Sequence, residues 1–407
     1  MAEKIQPADA EASRFLTLQT TPEKNAGRAD KVLLTLFFAF LLIPAILHLL
    51  LPDREFSERE NRSLASFPEL TVTSVASGRF MSELPAYLAD QFPFRDALVG
   101  LKAYAEAAML RGGNNGVLFG LDGTLVTRDD YPDLENLREN LSATAAFRAY
   151  CEKHGIPFTA AIAGRTADVL DGTVPLYGSE YSDRLWSALD AAASEAGLPY
   201  MDLRTPLRSR ALSGEYVYYR TDHHWTTYGA HLAAADILAS MGKTLPPMHE
   251  YDWTTVKDFY GTTWSAACAP WIKPDELLLF RYDGDTDFTT TIVDTGASFR
   301  GFYDESYLAV KDKYAVFLSG NNALTVIRRD GAVPRETLLV VKDSFAHAAA
   351  PFFAQFYDLV LLDLRYYKQI PAKLLDEYGV SRVLILQNIE SLTSSASLRL
   401  LAAGLGD

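Results

Sequence analysis

The sequence contains little cysteine and fewer basic than acidic residues. Only Cys151 and Cys268 are present among 407 residues, and the chain has neither a Cys-x-x-Cys nor a His-Glu-x-x-His pair. This scarcity argues against a zinc site, and it leaves open whether the two cysteines form a disulfide. The net charge of −14 argues against nucleic acid or an anionic membrane surface as the main partner.

The chain also lacks a glycine-rich phosphate-binding loop, internal repeats and low-complexity segments. Backbone N–H groups in such a loop would be needed to cradle the phosphates of a nucleotide-containing cofactor. We therefore expect no cofactor and no metal.

A long apolar run is present near the N-terminus. Val32–Leu51 contains no Asp, Glu, Lys or Arg, and about 20 apolar residues suffice to cross a bilayer as a helix. The run is longer than the apolar core of a signal peptide and follows a 31-residue leader. We interpret 32–52 as an uncleaved transmembrane anchor and 1–31 as a cytoplasmic tail, although basic residues on both flanks leave the orientation undecided.

Alternating helical and strand patterns predict an α/β fold with a mostly parallel sheet and helices on both faces. We assign 53–130 to a linker and the start of the region beyond the membrane, and 131–407 to one large domain. Residues 245–310 appear least regular in pattern and are predicted to form a substrate groove. The predicted helices are Asp133–His154 and Tyr181–Ala196, and the predicted strands are Phe158–Ala163, Tyr200–Leu203, Thr337–Val341, Leu359–Leu362 and Val383–Leu386.

A serine follows one of these strands directly. Thr337–Val341 leads into Lys342-Asp343-Ser344-Phe345, after which the pattern predicts a helix. A serine at a strand-to-helix junction lies above the carboxyl end of a sheet, where open α/β folds bind ligands. The helix start also directs backbone N–H groups at a developing oxyanion. A purely structural role of Asp343 or Ser344 as a helix N-cap is the alternative.

A second motif supplies an acid and a base. Asp222-His223-His224-Trp225 follows an aromatic, strand-like stretch and precedes a helix that begins near Thr226 and extends to about Met241. A serine hydroxyl becomes a nucleophile when an imidazole removes its proton and a carboxylate orients that imidazole. The structural alternative makes Trp225 a core anchor, with the histidines as polar neighbours. A shared metal is disfavoured because no further ligand pair accompanies the motif.

These motifs resemble those of the DHHW family, which is similar to the SGNH hydrolase-like O-acetyltransferase domains of alginate acetylation proteins. Three further segments also match the family: Phe56–Arg62, Asp90–Asp96 and Asp363–Tyr367. The resemblance therefore covers roughly residues 55 to 395. The resemblance implies an SGNH-like, flavodoxin-like sheet. It also implies Ser344 as nucleophile, Asp222 as orienting acid and His224 as base, with His223 as the competing base.

Other polar residues are candidates for supporting the site. Arg365 follows the strand Leu359–Leu362, so it lies at the same sheet edge as Ser344 if the two strands are parallel and adjacent. Tyr366 and Tyr367 could stack on a sugar ring or belong to the core. Asn321 lies in a Ser-Gly-Asn-Asn segment that follows a predicted strand, Tyr314–Leu318, and that also fits an ordinary turn. Lys342 replaces the glycine of many SGNH hydrolases, which leaves the backbone N–H of Ser344 as the expected oxyanion donor.

The resemblance implies a membrane-anchored, extracytoplasmic serine O-acetyltransferase that modifies a secreted or cell-surface polysaccharide. It also implies a membrane-bound O-acyltransferase partner that supplies acetyl groups. Two alternatives share the same sequence features. One is a carbohydrate esterase with water as the acceptor, and the other is a non-catalytic glycan-binding or scaffold component of an exopolysaccharide modification complex.

Overall fold

The computed structural model describes residues 26–128, 132–170, 172–173, 179–331 and 333–405. The predicted cytoplasmic tail therefore lies outside the described residues except for 26–31. In chain order, the helices are α1 (Ala26–Leu50), α2 (Val72–Ala76), α3 (Arg79–Asp90), α4 (Arg95–Ala108), α5 (Leu134–Lys153), α6 (Thr166–Val169), α7 (Ser179–Ala196), α8 (Arg204–Leu212), α9 (Thr227–Ser240), α10 (Thr262–Ala267), α11 (Ala346–Ala354), α12 (Lys373–Glu377) and α13 (Ile389–Ser394).

The strands of the described residues include the five predicted for the sheet and several that were not predicted. They are β1 (Phe56–Ser57), β2 (Arg62–Ser63), β3 (Gly113–Asn114), β4 (Val117–Phe119), β5 (Leu125–Thr127), β6 (Phe158–Ala163), β7 (Met201–Asp202), β8 (Asp252–Phe259), β9 (Asp275–Arg281), β10 (Phe288–Ile292), β11 (Ala297–Arg300), β12 (Leu324–Arg329), β13 (Thr337–Lys342), β14 (Asp358–Leu362) and β15 (Val380–Asn388).

Helix α1 contains the predicted anchor. Gly27–Leu50 is long and apolar enough to cross a membrane, and its most apolar window has a mean hydropathy of 2.6 and no buried residue. Length and composition are the basis for this assignment, because about 20 apolar residues span the hydrocarbon core. The helix fits a single-pass membrane anchor.

The chain forms two compact units. One contains the described residues up to Glu55 together with Ser63–Arg95, and the other contains Phe56–Arg62 and the described residues from Asp96 onward. The described residues 53–128 hold helices and short strands. Val117 and Leu125 pack with Trp264 and Ala267 of α10, and the domain bounds expected from the sequence stay a prediction.

One of the family-like segments stabilises the smaller unit. The Gln91 side chain accepts a hydrogen bond from the Arg54 backbone N–H and donates one to the Arg54 carbonyl, both at 2.9 Å. Asp90 accepts from the Ala65 backbone N–H, also at 2.9 Å. These contacts join distant parts of the unit, and therefore give the Asp90–Asp96 segment a structural role.

The larger unit is built on a mixed sheet. Within the described residues it has eight strands in the order β11-β10-β12-β14-β13-β15-β6-β7. The five strands from β14 to β7 are parallel, and β11, β10 and β12 extend them antiparallel. The predicted α/β fold with a mostly parallel sheet is confirmed.

Helices cover both faces of this sheet. Leu338 and Val340 of β13 join one apolar core with α9 and α11, while Leu339 and Val341 join the other with α5, α7 and α12. Successive side chains of a strand point to opposite faces, so a continuous apolar run is what a strand buried on both sides requires. Leu338–Val341 are completely buried.

Two local predictions are wrong, and one open question is answered. Residues 245–310 contain two antiparallel pairs, β8–β9 and β10–β11, rather than irregular chain. Strand β8 is mostly exposed and polar, so it lacks the apolar alternation that marks a strand. Tyr314–Leu318 is not a strand, because Lys313–Val316 form a 3₁₀ turn. Cys151 and Cys268 are buried free thiols, so the disulfide left open by the sequence does not form.

Candidate active site

Ser344 lies at the point where the order in which the chain adds strands to the sheet reverses. Strand β13 is central, the chain continues from it to β14 on one side, and then crosses to β15 on the other. Ligands of open α/β sheets bind outside the carboxyl ends of strands at such a switch point. Asp343, Ser344 and Phe345 connect the carboxyl end of β13 to α11, as the sequence predicts.

Asp343 and Trp225 hold this junction in place. The Asp343 carboxylate accepts hydrogen bonds from the Phe345 N–H at 2.9 Å, the Asn388 N–H at 2.6 Å and the Ser391 hydroxyl at 2.7 Å. Trp225 is fully buried, and its indole N–H donates to the Phe345 carbonyl at 3.0 Å. Asp343 thus stabilises the turn, and Trp225 ties the Asp-His-His-Trp segment to it. Both residues position the site, and Asp343 also lines the cavity beside Ser344.

The Asp-His-His-Trp segment is a loop that precedes α9. Thr226 caps this helix by accepting the Gly229 N–H at 3.1 Å, as predicted from its position. The aromatic stretch before the loop forms only a single bridge, Tyr218 with Trp225, instead of a strand. The Tyr218 hydroxyl donates to the Gly164 carbonyl at 2.6 Å, which fixes the loop against the end of β6.

Asp222, His224 and Ser344 form a continuous hydrogen-bonded chain. His224 Nδ1 lies 2.5 Å from Asp222 Oδ1, and His224 Nε2 lies 2.7 Å from Ser344 Oγ. A carboxylate at Nδ1 keeps that nitrogen protonated, which leaves Nε2 free to accept the serine proton. The arrangement can therefore activate the Ser344 hydroxyl as a nucleophile.

Thr262 completes the surroundings of Asp222, although no sequence pattern pointed to it. Its backbone N–H and its hydroxyl donate to Asp222 Oδ2, at 2.8 and 3.1 Å. Burial alone raises the pKa of Asp222, but the neighbouring imidazoles of His224 and His223 and these hydrogen bonds outweigh burial and hold the pKa well below its ordinary value. Asp222 is consequently a carboxylate that can stabilise a protonated His224.

Gly261 permits this close approach. A Cβ atom at Gly261 would lie 2.2 Å from Asp222 Cβ, although its backbone conformation suits any residue. We expect Gly261→Ala to displace Asp222 and lower kcat about 10- to 100-fold, with a loss of about 1–3 kcal/mol in the free energy of unfolding. Steady-state kinetics and denaturant unfolding measure both effects. Gly112→Ala, where the added Cβ meets nothing within 4 Å, is the control, and equal behaviour of the two variants would contradict the close-packing argument.

His223 makes different contacts from His224. Its Nδ1 lies 2.7 Å from Thr262 Oγ1, and its half-exposed ring faces the same cavity as Ser344. Because the Thr262 hydroxyl donates to Asp222, His223 Nδ1 donates to Thr262. The His224 ring hydrogen-bonds Ser344, whereas Nδ1 of His223 hydrogen-bonds Thr262, so this geometry favours His224 as the base.

Tyr314 stacks on His224, and sequence reasoning missed this contact. The two ring centroids are 4.0 Å apart with an interplanar angle of 9°. The other side of Tyr314 faces His347 at 6.4 Å and 25°. Tyr314 is 6% exposed and comes from the turn that was predicted as a strand. Stacking fixes the plane of the imidazole.

Replacement of Tyr314 tests this contact. We expect Tyr314→Leu to lower kcat about 10-fold, equivalent to about 1.4 kcal/mol, with little change in KM, since the ring acts on His224 and not on substrate. Tyr314→Phe keeps the stacked ring and should retain most of the activity. Steady-state kinetics of the three proteins measures the difference, and equal loss in the Phe and Leu variants would show that stacking is not what matters.

A buried charge network lies beside the nucleophile. Lys342 Nζ is 2.7 Å from His347 Nε2 and 3.4 Å from Asp363 Oδ2. Burial, together with the positive charge of Lys342, holds the pKa of His347 well below its ordinary value, so His347 is neutral and accepts from Lys342. Burial lowers the pKa of Lys342, and Asp363 partly opposes that change. Lys342, which replaces a glycine, thus packs inward and leaves the backbone N–H of Ser344 as the oxyanion-donor candidate.

Arg365 is oriented by the same network. It donates to Asp363 from Nε at 2.9 Å and from Nη2 at 2.6 Å, and Nη2 lies 3.2 Å from the Asn321 amide oxygen. Strands β13 and β14 are parallel neighbours, so Arg365 lies at the sheet edge predicted for it. Its side chain lines the cavity that contains Ser344.

Comparison with known proteins agrees with these motifs. Residues 204–362 match the family model "DHHW protein", and residues 110–267 match the model "SGNH hydrolase-like domain, acetyltransferase AlgX". The resemblance to the DHHW family is confirmed. The DHHW match contains both the Asp222–Trp225 motif and the Ser344 junction.

Curated proteins similar to this chain carry the name probable alginate O-acetylase AlgJ. The relative from Pseudomonas syringae pv. tomato is 26% identical over 197 residues, which are 46% of this chain and 48% of the relative. The relative from Pseudomonas aeruginosa is 25% identical over 192 residues, which are 45% of this chain and 48% of the relative. The chain thus spans about half the length of the curated relatives it matches.

Solved structures share the fold. A DHHW family protein from Eubacterium siraeum superposes with a TM-score of 0.56 at 19% identity, over 70% of this chain and 95% of the other. Bacillus cereus PatB1 superposes with a TM-score of 0.56 at 19% identity, over 69% of this chain and 98% of the PatB1 chain. These likenesses show that the chain shares its α/β fold with both solved structures.

The DHHW motif borders a polar cavity of about 230 Å³, which we call the Ser344 cavity. Its walls come from the carboxyl ends of three neighbouring parallel strands, β13, β14 and β15, and from the DHHW loop. Its lining residues include Ser344, His223, Arg365, Asn388, Ser391 and Ser394. Hydroxyl, amide and guanidinium groups of this kind bind and orient polar ligands.

The two tyrosines proposed for sugar stacking lie in different surroundings. Tyr366 is 50% exposed, and the Arg365 guanidinium lies 5.5 Å above its ring. Tyr367 is 8% exposed and packs in the core beside α12, which is the core alternative that the sequence left open for it. Only Tyr366 of the pair remains a candidate for substrate contact.

The side chains of Asp222, His223 and His224 lie close enough together to be considered as metal ligands. Their ligand atoms lie within 4.8 Å of one another. However, Nδ1 of His224 and Oδ1 of Asp222 already share a hydrogen bond, and Nε2 of His224 contacts Ser344. A cation held by all three residues would have to break this chain, so the geometry suits acyl transfer through the serine better than metal binding.

Proposed function

We propose that this chain is a membrane-anchored serine O-acetyltransferase that acts outside the cytoplasm on a secreted or cell-surface polysaccharide. The observation that carries the proposal is the hydrogen-bonded chain from Asp222 through His224 to Ser344 at the switch point of the sheet. The match to an acetyltransferase family model and the names of the curated relatives support acetyl as the transferred group.

In the first half of the reaction, Ser344 Oγ attacks the carbonyl carbon of the acetyl donor. His224 Nε2 takes the serine proton, and the Asp222 carboxylate stabilises the resulting imidazolium. The backbone N–H of Ser344, at the start of α11, is the donor we assign to the oxyanion of the tetrahedral intermediate. His224 then returns the proton to the departing group, and an acetyl-serine remains.

In the second half, a sugar hydroxyl in the Ser344 cavity attacks the acetyl-serine. His224 accepts the proton of that hydroxyl, the second tetrahedral intermediate collapses, and Ser344 leaves with the proton from His224. The products are an acetylated sugar and the free enzyme. The polar walls of the Ser344 cavity, including Arg365 and Ser394, suit a hydroxyl-rich acceptor.

The donor in this scheme is supplied by a membrane-bound O-acyltransferase partner, which we propose passes acetyl groups across the bilayer. Helix α1 would keep the catalytic unit near that partner, with the larger unit outside the cytoplasm. No cofactor is required by the scheme, because both half-reactions use only Ser344, His224 and Asp222.

Product analysis tests this function. The full chain in lipid nanodiscs is incubated with 4-nitrophenyl acetate, with and without neutral and acidic oligosaccharides, and products are identified by mass spectrometry. A transferase yields acetylated oligosaccharide in a Ser344-dependent reaction. Free acetate alone, whichever acceptor is added, would indicate an esterase. Turnover that Ser344→Ala does not reduce would leave the non-catalytic glycan-binding scaffold as the better interpretation.

A further inference from the structure

A second cavity lies on the larger unit, and it shares no lining residue with the Ser344 cavity. Its volume is about 280 Å³, near the lower end, about 300 Å³, of small-molecule sites. Tyr216, Tyr228 and Trp253 supply aromatic walls, Leu278 and Met248 add aliphatic surface, and Glu276 supplies a carboxylate. We call it the Trp253 cavity.

The aromatic walls are fixed from outside the cavity. The Tyr216 hydroxyl donates to Asp275, and the Tyr228 hydroxyl donates to Glu215. Trp253 packs edge-on against Phe280, with ring centroids 5.7 Å apart and an interplanar angle of 68°. Because the two hydroxyls are engaged, the tyrosines present ring surface rather than polar tips to a ligand. The side chains are therefore held in place before binding, which reduces the entropy lost on association.

This aromatic surface is nevertheless exposed. Trp253 is 54% and Tyr216 is 40% exposed to solvent. A concave, clustered apolar surface with one polar group at its side is the usual form of a ligand site, whereas single exposed apolar residues need no explanation. The surface therefore requires an occupant of matching chemistry.

We propose that the Trp253 cavity binds a neutral sugar unit of the polysaccharide, away from the reacting serine. A pyranose has C–H faces that pack on aromatic rings and equatorial hydroxyls that donate to a carboxylate such as Glu276. The acidic Glu276 repels a carboxylate-bearing sugar, so the cavity selects against uronate units. This inference rests on the proposed function, since it assigns a binding subsite for the same polymer.

The cavity is joined to the catalytic loop by hydrogen bonds. Asp275, which holds Tyr216, also accepts the Thr221 N–H at 2.8 Å and the Thr221 hydroxyl at 2.7 Å. Thr221 directly precedes Asp222. A sugar packed on Tyr216 is thus linked through Asp275 and Thr221 to the segment that carries the acid and base, and it leaves the Ser344 cavity unoccupied.

Binding measurements on the full chain in lipid nanodiscs test the proposal. Isothermal titration is carried out with hexasaccharides of β-1,4-linked glucose, β-1,4-linked mannose and β-1,4-linked mannuronate. We expect saturable binding of at least one neutral hexasaccharide and at least about 10-fold weaker binding of the mannuronate, since one charge repulsion of about 1.4 kcal/mol suffices for that ratio. Trp253→Ala should weaken binding of the neutral hexasaccharide by about 10-fold or more.

Two further variants keep the test independent of folding and of catalysis. Glu276→Gln is a substitution on the protein surface. It should weaken binding of the neutral sugar and reduce the discrimination against mannuronate. Tyr104→Ala removes an exposed aromatic residue outside the cavity and should leave binding unchanged. Ser344→Ala should bind as wild type does, so loss of transfer and loss of sugar binding are separate results.

Several outcomes would overturn the assignment. The proposal fails if no neutral hexasaccharide binds, or if Trp253→Ala binds as tightly as wild type. It also fails if octanoate binds in a Trp253-dependent way and the sugars do not, because the cavity would then be an acyl-chain site.

Discussion

Ser344→Ala is expected to lower kcat for acetyl transfer from 4-nitrophenyl acetate by at least about 10³-fold, with little change in KM. The Ser344 hydroxyl is the atom that His224 Nε2 contacts at 2.7 Å, and alanine offers no group that can carry the acetyl. Residual turnover would reflect only the remaining donors of the site and attack by water. Stopped-flow kinetics with the activated ester measures this loss directly.

Ser394→Ala is the matched control for that experiment. Ser394 lines the same cavity but donates to the Glu390 carbonyl at 2.8 Å instead of contacting an imidazole. It should retain most of the activity. Equal loss in both variants would mean that hydroxyls of the cavity act through binding, and that Ser344 has no special role as nucleophile.

His224→Ala is expected to reduce kcat by a similar factor, about 10³-fold or more, because the base and its charge stabilisation are lost together. His223→Ala should have a much smaller effect, about 10-fold or less, since His223 contacts Thr262 and the cavity but makes no contact with Ser344. The two residues are adjacent in sequence, so each variant is the other's control for local disturbance.

The pair of substitutions separates two assignments of the base. Burst kinetics, which resolves acylation of the enzyme from release of the product, should show that His224→Ala blocks acylation. A result in which His223→Ala is the inactive variant would transfer the base role to His223. Loss in both would indicate that the two rings, whose centroids are 3.8 Å apart, support each other's position.

Much of the large sheet could be predicted because its central strands are buried on both faces. Phe158–Ala163 has the predicted bounds, and Thr337–Val341 differs from β13 by one residue. Helices α5 and α9 begin at cap residues, Asp133 and Thr226, that the sequence displays openly. In these segments local pattern and tertiary environment agree.

Prediction failed where apolar residues are buried without regular structure. Tyr314 and its neighbours are apolar because each packs into the core, yet the backbone turns there, and Leu318 and Ser319 adopt positive φ angles of 60° and 59°. Apolar content alone cannot distinguish this case from a strand. The stacking of Tyr314 on His224 was invisible for the same reason.

The candidate site was predictable in its motif residues but not in the contacts that hold them. Asp222, His224 and Ser344 could be singled out because a weak nucleophile, a base and an acid are chemically interpretable as a set. Thr262 and Gly261 lie about 40 positions from Asp222, on a segment predicted to be irregular, and only the folded chain brings them to its carboxylate. Such support is a property of tertiary packing, and a single sequence does not display it.

The central claim is that Ser344 carries the acetyl group, and peptide mapping of the acylated enzyme tests it most directly. The full chain is mixed briefly with 4-nitrophenyl acetate, quenched with acid, digested and analysed by tandem mass spectrometry. The account predicts one acetyl group on Ser344, absent from Ser344→Ala and from His224→Ala, and removed when an accepted oligosaccharide is added. Acetyl transfer that proceeds with Ser344 unmodified, or labelling that is unchanged in the Ser344→Ala and His224→Ala variants, would contradict it.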